Sequence, residues 1–429
     1  MKVAFYTLGC KVNQYETQAL EQLMTGRGHT VVPFEEEADA YVINTCTVTA
    51  VSDKKSRQVI RRARKSAPDA VIAVCGCYPQ THPEDMEDLS IDLVSGTGDR
   101  VQFVELLERN CAERTPITNL DDAMKRRIFE VLPAGGLEGR TRAMLKVEDG
   151  CVNFCTYCII PFARGPVRSL PLEEAAAQAA QLDREGYREL VLTGIEISSW
   201  GKEFKDGTSL IDLMEAVCRA APHCRIRLGS LEPRTITPDF CERAARLENL
   251  CPHFHLSMQS GSSAVLKRMN RRYDADRFYE SVALLREYLE DPGITTDLIV
   301  GFPGETEEEF RETLDFIQKC AFSAMHIFPY SKRPGTPAAK MPDQILNAVK
   351  EERAHRAAAV AAGMERDYLS RWVGRTLPVL FEEEREGHWR GYTTRYTEVW
   401  VESEENLHNV LRNVEIKSVE GTALRGVLV

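Results

Sequence analysis

Cys151-Val152-Asn153-Phe154-Cys155-Thr156-Tyr157-Cys158 places three cysteines within one short stretch of the chain. Three thiolates at this spacing can surround one inorganic centre. A structural zinc ion takes four protein ligands, and no fourth Cys or His follows at a zinc-like interval. A four-iron cluster held by three thiolates keeps one iron open for an external ligand, and soft thiolates favour iron–sulfur chemistry. The stretch therefore predicts an open iron–sulfur site, with a zinc site that borrows a distant ligand as the alternative.

A series of alternating strand and helix patterns surrounds this motif. Residues 143–147, just before it, predict a β-strand. Further predicted strands cover 189–193, 225–229, 253–258, 294–300 and 324–328, and the helices between them cover 172–186, 209–220, 238–250, 274–289 and 306–320. Six successive βα units predict a full or partial barrel, with its chemistry at the C-terminal ends of the strands.

The segments on either side of this barrel predict two further domains. Predicted strands at 2–8, 40–45, 70–75 and 91–95 alternate with helices at 13–27, 53–66 and 99–110, which indicates a doubly wound parallel sheet. After a long helix at 351–373, the short strands of 378–429 suit a small β-barrel. We therefore predict an α/β protein with an N-terminal domain (1–115), a linker (116–139), a central barrel (140–371) and an all-β domain (372–429).

Composition narrows the class of protein. The chain has 429 residues, a formal net charge of −11 and 43% hydrophobic residues, which is ordinary for a globular protein. The N-terminal residues carry charge too early for a secretory signal, and no apolar run is long enough to span a membrane. We expect a cytoplasmic enzyme without membrane contact. Thirteen cysteines in a reducing compartment favour metal binding or catalysis over disulfides.

A second set of cysteines is spread over the first domain. Cys10, Cys46 and Cys77 each follow a predicted strand. Because the C-terminal ends of parallel strands face one crevice, the three thiols can converge there. A single free cysteine in such a position is more often a small buried hydrophobe, and three at corresponding positions favour a shared site. Packing is the role we assign to the other seven cysteines, at positions 75, 111, 218, 224, 241, 251 and 320.

The CxxxCxxC motif after the first barrel strand resembles the radical S-adenosylmethionine (SAM) superfamily. That resemblance implies that Cys151, Cys155 and Cys158 hold a [4Fe–4S] cluster whose open iron chelates SAM, and that electron transfer cleaves SAM to a 5′-deoxyadenosyl radical. Tyr157 matches the aromatic residue usual before the last cysteine. Small and polar residues at the ends of the predicted barrel strands suit the same cofactor. Together with one nearby arginine, the candidate cofactor-binding residues are Tyr157, Thr193, Gly194, Glu196, Ser230, Glu232, Gln259, Arg271, Asp297 and Gly301.

With the N-terminal triad and the terminal β-domain included, nearly the whole chain resembles the methylthiotransferases, which join a cluster-binding domain, a radical SAM barrel and a TRAM domain. The resemblance implies that Cys10, Cys46 and Cys77 hold an auxiliary [4Fe–4S] cluster with one iron open to a sulfur species. One SAM then methylates that sulfur, and a second SAM supplies the radical that removes hydrogen from the substrate. No general base is required for this step, so we nominate no histidine as catalytic. At least one of His253 and His255 is expected to serve packing or hydrogen bonding.

The family's branches differ in substrate, and the stretch Gly9-Cys10-Lys11-Val12-Asn13 is similar to the threonylcarbamoyladenosine branch. This implies a tRNA anticodon stem-loop as partner, C2 of adenosine-37 as the site of attack and a low-potential electron donor of the flavodoxin or ferredoxin type. The sulfur donor is left open. Alternatives within the family are isopentenyladenosine-37 or a ribosomal protein aspartate. Outside it, the alternative is a non-catalytic iron–sulfur or zinc protein that binds RNA.

The charge distribution restricts where RNA can bind. The net charge opposes a polyanion, but residues 53–65 carry seven Lys or Arg against one acid. Such a helix can contact phosphates, although a merely solvated face has the same composition. A second basic patch follows the Gln259 loop. The terminal domain has a net charge of −3 but carries basic and aromatic residues that can form an RNA-binding surface. The alternative for this domain is that it mainly packs on the barrel. The candidate RNA-binding residues are Lys54, Arg57, Arg61, Lys267, Arg272, Arg390 and Arg395.

Overall fold

The fold is given by a computed structural model that describes residues 1–136 and 141–429. The end of the predicted linker (137–139) and the first residue of the predicted barrel domain (140) lie outside the described residues. No helix in the described part of the chain combines the length and the apolar character that a membrane crossing requires.

The N-terminal domain is a parallel sheet with helices on both faces, as predicted. Its strands pair in the order β2-β1-β3-β4-β5-β6, and two separate hydrophobic cores lie on its two sides. The strands are β1 (Lys2–Thr7), β2 (Thr30–Val32), β3 (Ala40–Thr45), β4 (Val71–Gly76), β5 (Leu93–Ser95) and β6 (Ile117–Asn119), and the helices are α1 (Lys11–Gly26), α2 (Ala50–Ser66), α3 (Cys77–Thr81) and α4 (Arg100–Glu113).

Several boundaries in this domain differ from prediction by a few residues, β2 and α3 were not predicted, and two differences have a clear physical cause. Strand β6 pairs with β5, so the start of the predicted linker belongs to the N-terminal sheet. Its three residues are polar or half-exposed, so they carry little strand signal. Helix α2 begins three residues before the predicted position because the Thr49 side chain accepts a hydrogen bond from the Ser52 backbone N–H and caps the helix.

The central domain is the predicted six-unit partial barrel. Its strands follow one another in parallel, and the third is interrupted at Gly229. In the described residues, the first strand does not pair with the last. The strands are β7 (Arg142–Lys146), β8 (Glu148–Asp149), β9 (Arg168–Ser169), β10 (Glu189–Thr193), β11 (Arg225–Leu228), β12 (Ser230–Leu231), β13 (His253–Gln259), β14 (Gly293–Val300) and β15 (Ala324–Pro329), of which β8 and β9 form a separate ribbon.

The barrel helices pack on the outer face of these strands. Leu145, Leu192 and Leu256 belong to the core between strands and helices, whereas alternate residues along β13 and β14 stay partly accessible from the inside. These partly accessible residues line the interior of the partial barrel, called the lumen below. The helices are α5 (Ile160–Arg164), α6 (Leu172–Arg184), α7 (Leu210–Ala220), α8 (Pro238–Ala245), α9 (Ser263–Arg268), α10 (Ala275–Tyr288), α11 (Glu307–Cys320) and α12 (Asn347–Ser370).

The C-terminal domain is the predicted closed β-barrel, formed by β16 (Thr376–Arg385), β17 (His388–Thr393), β18 (Glu398–Glu402), β19 (Leu411–Glu420) and β20 (Ala423–Leu428). It docks at the N-terminal ends of the central strands: Arg142 pairs with Glu382 at 2.6 Å, and Arg227 donates to the Thr394 carbonyl at 2.9 Å. The N-terminal domain contacts the opposite, C-terminal ends, where Lys146 of β7 pairs with Glu16 of α1 at 2.9 Å. The lumen thus lies between the two outer domains.

Candidate active site

The loop with the three barrel cysteines lies between the ribbon strands β8 and β9. The Cys151 N–H donates to the Gly165 carbonyl at 3.0 Å, and the Thr156 N–H donates to the Met269 carbonyl at 3.0 Å. Phe154 has a positive φ of 46°, and its carbonyl accepts from Asn270 Nδ2 at 3.0 Å. These bonds hold the loop in a defined conformation at the mouth of the lumen.

The surroundings of these thiols favour the protonated form, so a bound metal or cluster must displace the proton. Burial, above all, raises the pKa of Cys151 and of Cys158 to about 12. Arg271 Nη1 lies 3.3 Å from Cys155 Sγ and donates to it. Without a metal the Cys151 and Cys158 thiols are neutral at pH 7, and binding of a metal or cluster releases their protons.

The end of β10 provides carboxylates for an amine. Glu196, just after β10, is half-buried, and Glu148 of the neighbouring strand β8 is buried. Burial raises the pKa of both, and the Oε1 atom of each lacks a hydrogen-bond partner among the described residues. Gly194 lies against Glu148, since a Cβ at Gly194 would stand 2.7 Å from Glu148 Oε2. Thr193, just before it, is buried. An ammonium group bound here would satisfy the two free carboxylate oxygens, as the amino group of SAM would.

Other predicted cofactor residues lie around the same mouth in different roles. Glu232, Arg271 and Arg272 line one small pocket with Cys155. The Tyr157 ring is 6.4 Å from the Phe302 ring and belongs to a hydrophobic cluster, so its ring serves packing. Ser230 is exposed.

The ends of β13 and β14 hold the remaining three. Gln259 has a φ of +67°, and Asp297 lies 3.2 Å from His255 Nε2. The space next to Gly301 is filled, because a Cβ there would stand 2.4 Å from Lys350 Cγ. Packing against α12 and a positive φ of 69° both favour glycine at this position, and its role in cofactor binding stays a prediction.

Cys10, Cys46 and Cys77 lie at the C-terminal ends of β1, β3 and β4, where Cys10 and Cys46 are electrostatic neighbours of Cys77. A Cβ at Gly9 would stand 3.0 Å from Cys46 Sγ, and the positive φ of Gly9 (+110°) also favours glycine. Gly76, next to Cys77, has a φ of +103° and lies against the Thr45 carbonyl. The strands β1 and β3 flank the position where the strand order reverses, which is where an open α/β sheet binds its ligand.

A buried ionic network connects the two cysteine sites. Arg164, six residues after Cys158, is fully buried, binds the Glu16 carboxylate and donates to Asn13 Oδ1 at 2.8 Å. It also faces Cys77: burial raises the pKa of that thiol to about 12, and Arg164 opposes the rise. The Glu16 carboxylate also forms ion pairs with Arg100 at 2.8 Å and with Lys146 at 2.9 Å. We call this set the Glu16 network.

A second buried contact fixes the loop after Cys46. Arg333, from the loop after β15, pairs with Asp53 of α2 and donates to Thr47 Oγ1. Thr47 in turn donates to Asp53 at 2.8 Å. A role in these contacts was not predicted for Arg164, Glu16, Arg333 or Asp53, and the local signal is that Arg164 closely follows the cysteine motif.

The lumen is lined mainly by paired polar groups. Glu189 is held by Arg225 and by Arg227, whose Nε is 2.8 Å away. His253 is buried beside the Tyr396 ring, at 5.3 Å, and His255 bonds Thr295 at 3.0 Å, which confirms packing and hydrogen-bonding roles. Burial, above all, lowers the pKa of Lys11, whose electrostatic neighbours are Tyr396, Arg227, Arg142 and Glu189.

The predicted RNA-binding residues differ in how free they are. Lys54, Arg61, Lys267 and Arg272 are exposed. Arg57 is engaged by the Tyr78 hydroxyl and lies 3.6 Å from Asp85. In the C-terminal domain, Arg390 pairs with Glu383. Arg395 donates to the backbone carbonyls of residues 290 and 291 at 2.8 Å and covers the Trp372 ring. These two arginines serve contacts within the chain, which is the packing alternative for this domain.

The donor sets fit iron–sulfur clusters better than single metal ions. Within residues 1–136 and 141–429, no group of three or more His, Cys, Asp and Glu side chains is close enough together to hold one metal ion. Each triad supplies three cysteines, whose thiolates are the soft donors that iron–sulfur clusters use, and a [4Fe–4S] cluster held by either triad would keep one iron without a protein ligand. The free carboxylate oxygens near Cys151 fit the amine of SAM.

Comparison with known proteins gives the same assignment. Residues 145–317 match the Radical SAM superfamily, and residues 2–96 match the Uncharacterized protein family UPF0004. Solved structures of a radical S-adenosylmethionine methyltransferase, TsrM, from Kitasatospora setae share the fold. One, with cobalamin and a [4Fe-4S] cluster bound, has a TM-score of 0.57 at 15% identity and covers 79% of this chain and 76% of that one.

Curated relatives match over nearly the full length. Threonylcarbamoyladenosine tRNA methylthiotransferase MtaB of Bacillus subtilis is 45% identical over 96% of this chain and 93% of the relative, and the protein of the same name in Thermotoga maritima is 36% identical over 97% and 94%. The tRNA-2-methylthio-N(6)-dimethylallyladenosine synthase of Acetivibrio thermocellus is 34% identical over 99% and 90%. The chain belongs to the radical SAM methylthiotransferase family, whose cofactors are [4Fe–4S] clusters and SAM.

Proposed function

We propose that the chain adds a methylthio group to C2 of N6-threonylcarbamoyladenosine at position 37 of tRNA and consumes two SAM molecules, one as methyl donor and one as radical source. The observation that carries this proposal is the pair of cysteine triads joined through the Glu16 network across one lumen. Identity supports the substrate, since the relative named for threonylcarbamoyladenosine in Bacillus subtilis reaches 45%, against 34% for the dimethylallyladenosine synthase of Acetivibrio thermocellus.

When bound, SAM and the barrel cluster would supply the radical chemistry, and the auxiliary cluster would supply the sulfur. The chain binds and orients them. Cys151, Cys155 and Cys158 hold the first cluster, and Cys10, Cys46 and Cys77 hold the second. Glu196 accepts the SAM amine, Arg271 stabilises the Cys155 thiolate, and the N-terminal domain covers the lumen and limits the access of water to the reacting atoms. The proposed electron donor is a low-potential protein of the flavodoxin or ferredoxin type.

The proposed tRNA path uses the exposed cations near the lumen mouth. Lys54 and Arg61 extend along α2, whose first turn contacts the loop after β15 through Ala50 and Ser331. Lys267 and Arg272 flank the segment that contacts the cysteine loop. Phosphate contacts of this kind position an RNA without reading its sequence.

Nucleoside mass spectrometry of tRNA from a deletion strain tests this function. We expect 2-methylthio-threonylcarbamoyladenosine to disappear, to return with the intact gene, and not to return with a Cys151→Ala/Cys155→Ala/Cys158→Ala gene. Unchanged nucleoside levels contradict the proposal. Loss of the methylthio group from isopentenyladenosine or from a ribosomal protein aspartate instead identifies another branch of the family.

A further inference from the structure

One cation in the lumen stands apart from the paired charges described above. Lys11 is the first residue of α1, directly after Cys10, and its side chain is solvent-accessible. Its ammonium makes no hydrogen bond or ion pair with any described residue, which distinguishes it from Lys146, Arg142 and Arg227, each of which has a carboxylate partner.

The charge of Lys11 lies over the floor of the lumen, by which we mean the end of the lumen next to the C-terminal domain. Its electrostatic neighbours lie on strands β7, β10 and β11 and on the C-terminal domain, namely Arg142, Glu189, Arg227 and Tyr396, and it also faces His253 of β13. The side chain therefore points from the auxiliary cysteine site into the barrel, the space that a substrate must occupy to meet both sites.

The charges around Lys11 leave it without a counter-ion. Glu189, the carboxylate among the electrostatic neighbours named above, already binds two arginines. Asp297 is paired with His255 at 3.2 Å. Lys11 therefore keeps a solvent-accessible charge that faces the lumen without a partner, and an anion bound in the lumen can pair with it.

We propose that Lys11 determines substrate specificity by binding the free carboxylate of the threonylcarbamoyl group, an inference that rests on the proposed function. A threonine attached through a carbamoyl link keeps its carboxylate, and an ammonium–carboxylate hydrogen bond is of the strong, charge-assisted kind. An isopentenyl group offers no charge to pair. Cyclisation of the threonylcarbamoyl group consumes its carboxylate, so the open form is the preferred substrate.

The test compares three anticodon stem-loop RNAs with the iron-loaded protein in the absence of SAM: one with threonylcarbamoyladenosine, one with the same group as its primary amide, and one with isopentenyladenosine. The intact protein should bind the carboxylate RNA about ten- to hundredfold more tightly than the amide RNA. Lys11→Gln should abolish that difference, and Lys11→Arg should retain most of it. Iron content, measured for every variant, confirms that the adjacent cluster site is intact.

Equal binding of the carboxylate and amide RNAs by the intact protein, or an equal loss for both RNAs in Lys11→Gln, overturns the role of Lys11. The proposed function is judged separately, by adding SAM and a reductant. If the intact protein methylthiolates the threonylcarbamoyl RNA but binds the carboxylate and amide RNAs equally, only the role of Lys11 fails. If it modifies only the isopentenyl RNA, the proposed function fails and the role of Lys11 fails with it.

Discussion

Replacing Glu16 by Gln removes a buried carboxylate that three cations share. Arg100 and Lys146 approach its oxygens at 2.8 and 2.9 Å, Arg164 binds both oxygens, and each of the four side chains is 2% exposed or less. Although burial opposes ionisation, Arg164, Lys146 and Arg100 hold the pKa of Glu16 well below its ordinary value, so the carboxylate is charged at pH 7. In Glu16→Gln these cations lose their shared counter-ion.

The expected cost follows from the general behaviour of buried ion pairs. Removing one partner of such a pair costs about 3–5 kcal/mol, because an uncompensated charge remains buried. Asp149 stays near Lys146 and Arg164, at 2.9 and 3.6 Å, and so keeps the cost within this range despite three orphaned cations. Since Glu16 lies in the N-terminal domain and two of its partners lie in the barrel, the loss weakens the contact between the two cysteine sites.

Native-state hydrogen exchange measures this loss better than a single unfolding curve, because a chain of several domains does not unfold in two states. Amides of α1 and α5 should exchange about a hundredfold faster or more in Glu16→Gln. Glu113→Gln, a change at an exposed acid on α4, is the matched control and should leave these rates unchanged. If the two variants differ by less than about tenfold, the Glu16 network does not hold the domains together as argued.

Three further predictions follow from the same structure. Although burial opposes it, Arg227 and Arg225 lower the pKa of Glu189 from 4.5 to about 2. The ionised carboxylate therefore contributes about 3 kcal/mol to the free energy of unfolding at neutral pH, and this contribution is lost as the pH falls from about 5 to 2. In Glu189→Gln the free energy of unfolding should depend less steeply on pH in this range, and an unchanged pH dependence contradicts the assignment. The intact protein should hold about eight irons per chain, and a variant with alanine at Cys10, Cys46 and Cys77 should keep about four of them and still cleave SAM. A variant with alanine at Cys151, Cys155 and Cys158 should also keep about four irons but form no 5′-deoxyadenosine. Formation of 5′-deoxyadenosine by this second variant contradicts the radical assignment. Lys54→Ala should weaken RNA binding and lower the salt dependence of the binding constant by about one counterion. Arg395→Ala should lower the stability of the protein and leave that salt dependence unchanged. A smaller salt dependence in Arg395→Ala, with none lost in Lys54→Ala, assigns RNA contact to the C-terminal domain.

The elements of the fold that the sequence predicts well are those with a repeated local pattern. The buried strands β3 and β10 have the predicted bounds because apolar runs between polar turns specify them. The convergence of Cys10, Cys46 and Cys77 follows from strand direction alone, since parallel strands end at one edge. The short edge strand β6 carries no such pattern, and only its pairing with β5 makes it a strand.

The residues that join the domains were beyond sequence reasoning for a different reason. Glu16 and Arg164 lie 148 positions apart and form an ion pair only after both domains fold, so neither position carries a local signal. Arg395 was predicted to face RNA because basic and aromatic residues surround it. Its actual direction depends on how the C-terminal barrel docks on residues 290 and 291, which composition does not specify.

The central claim is the reaction itself, and an anaerobic assay with purified, iron-loaded protein tests it most directly. The protein, SAM and a reductant are mixed with anticodon stem-loops that carry either threonylcarbamoyladenosine or isopentenyladenosine at position 37, and the nucleosides are analysed by mass spectrometry. Our account predicts the 2-methylthio derivative of threonylcarbamoyladenosine, formed together with 5′-deoxyadenosine. Methylthiolation of the isopentenyl RNA alone, or of neither RNA while SAM is cleaved, would contradict it.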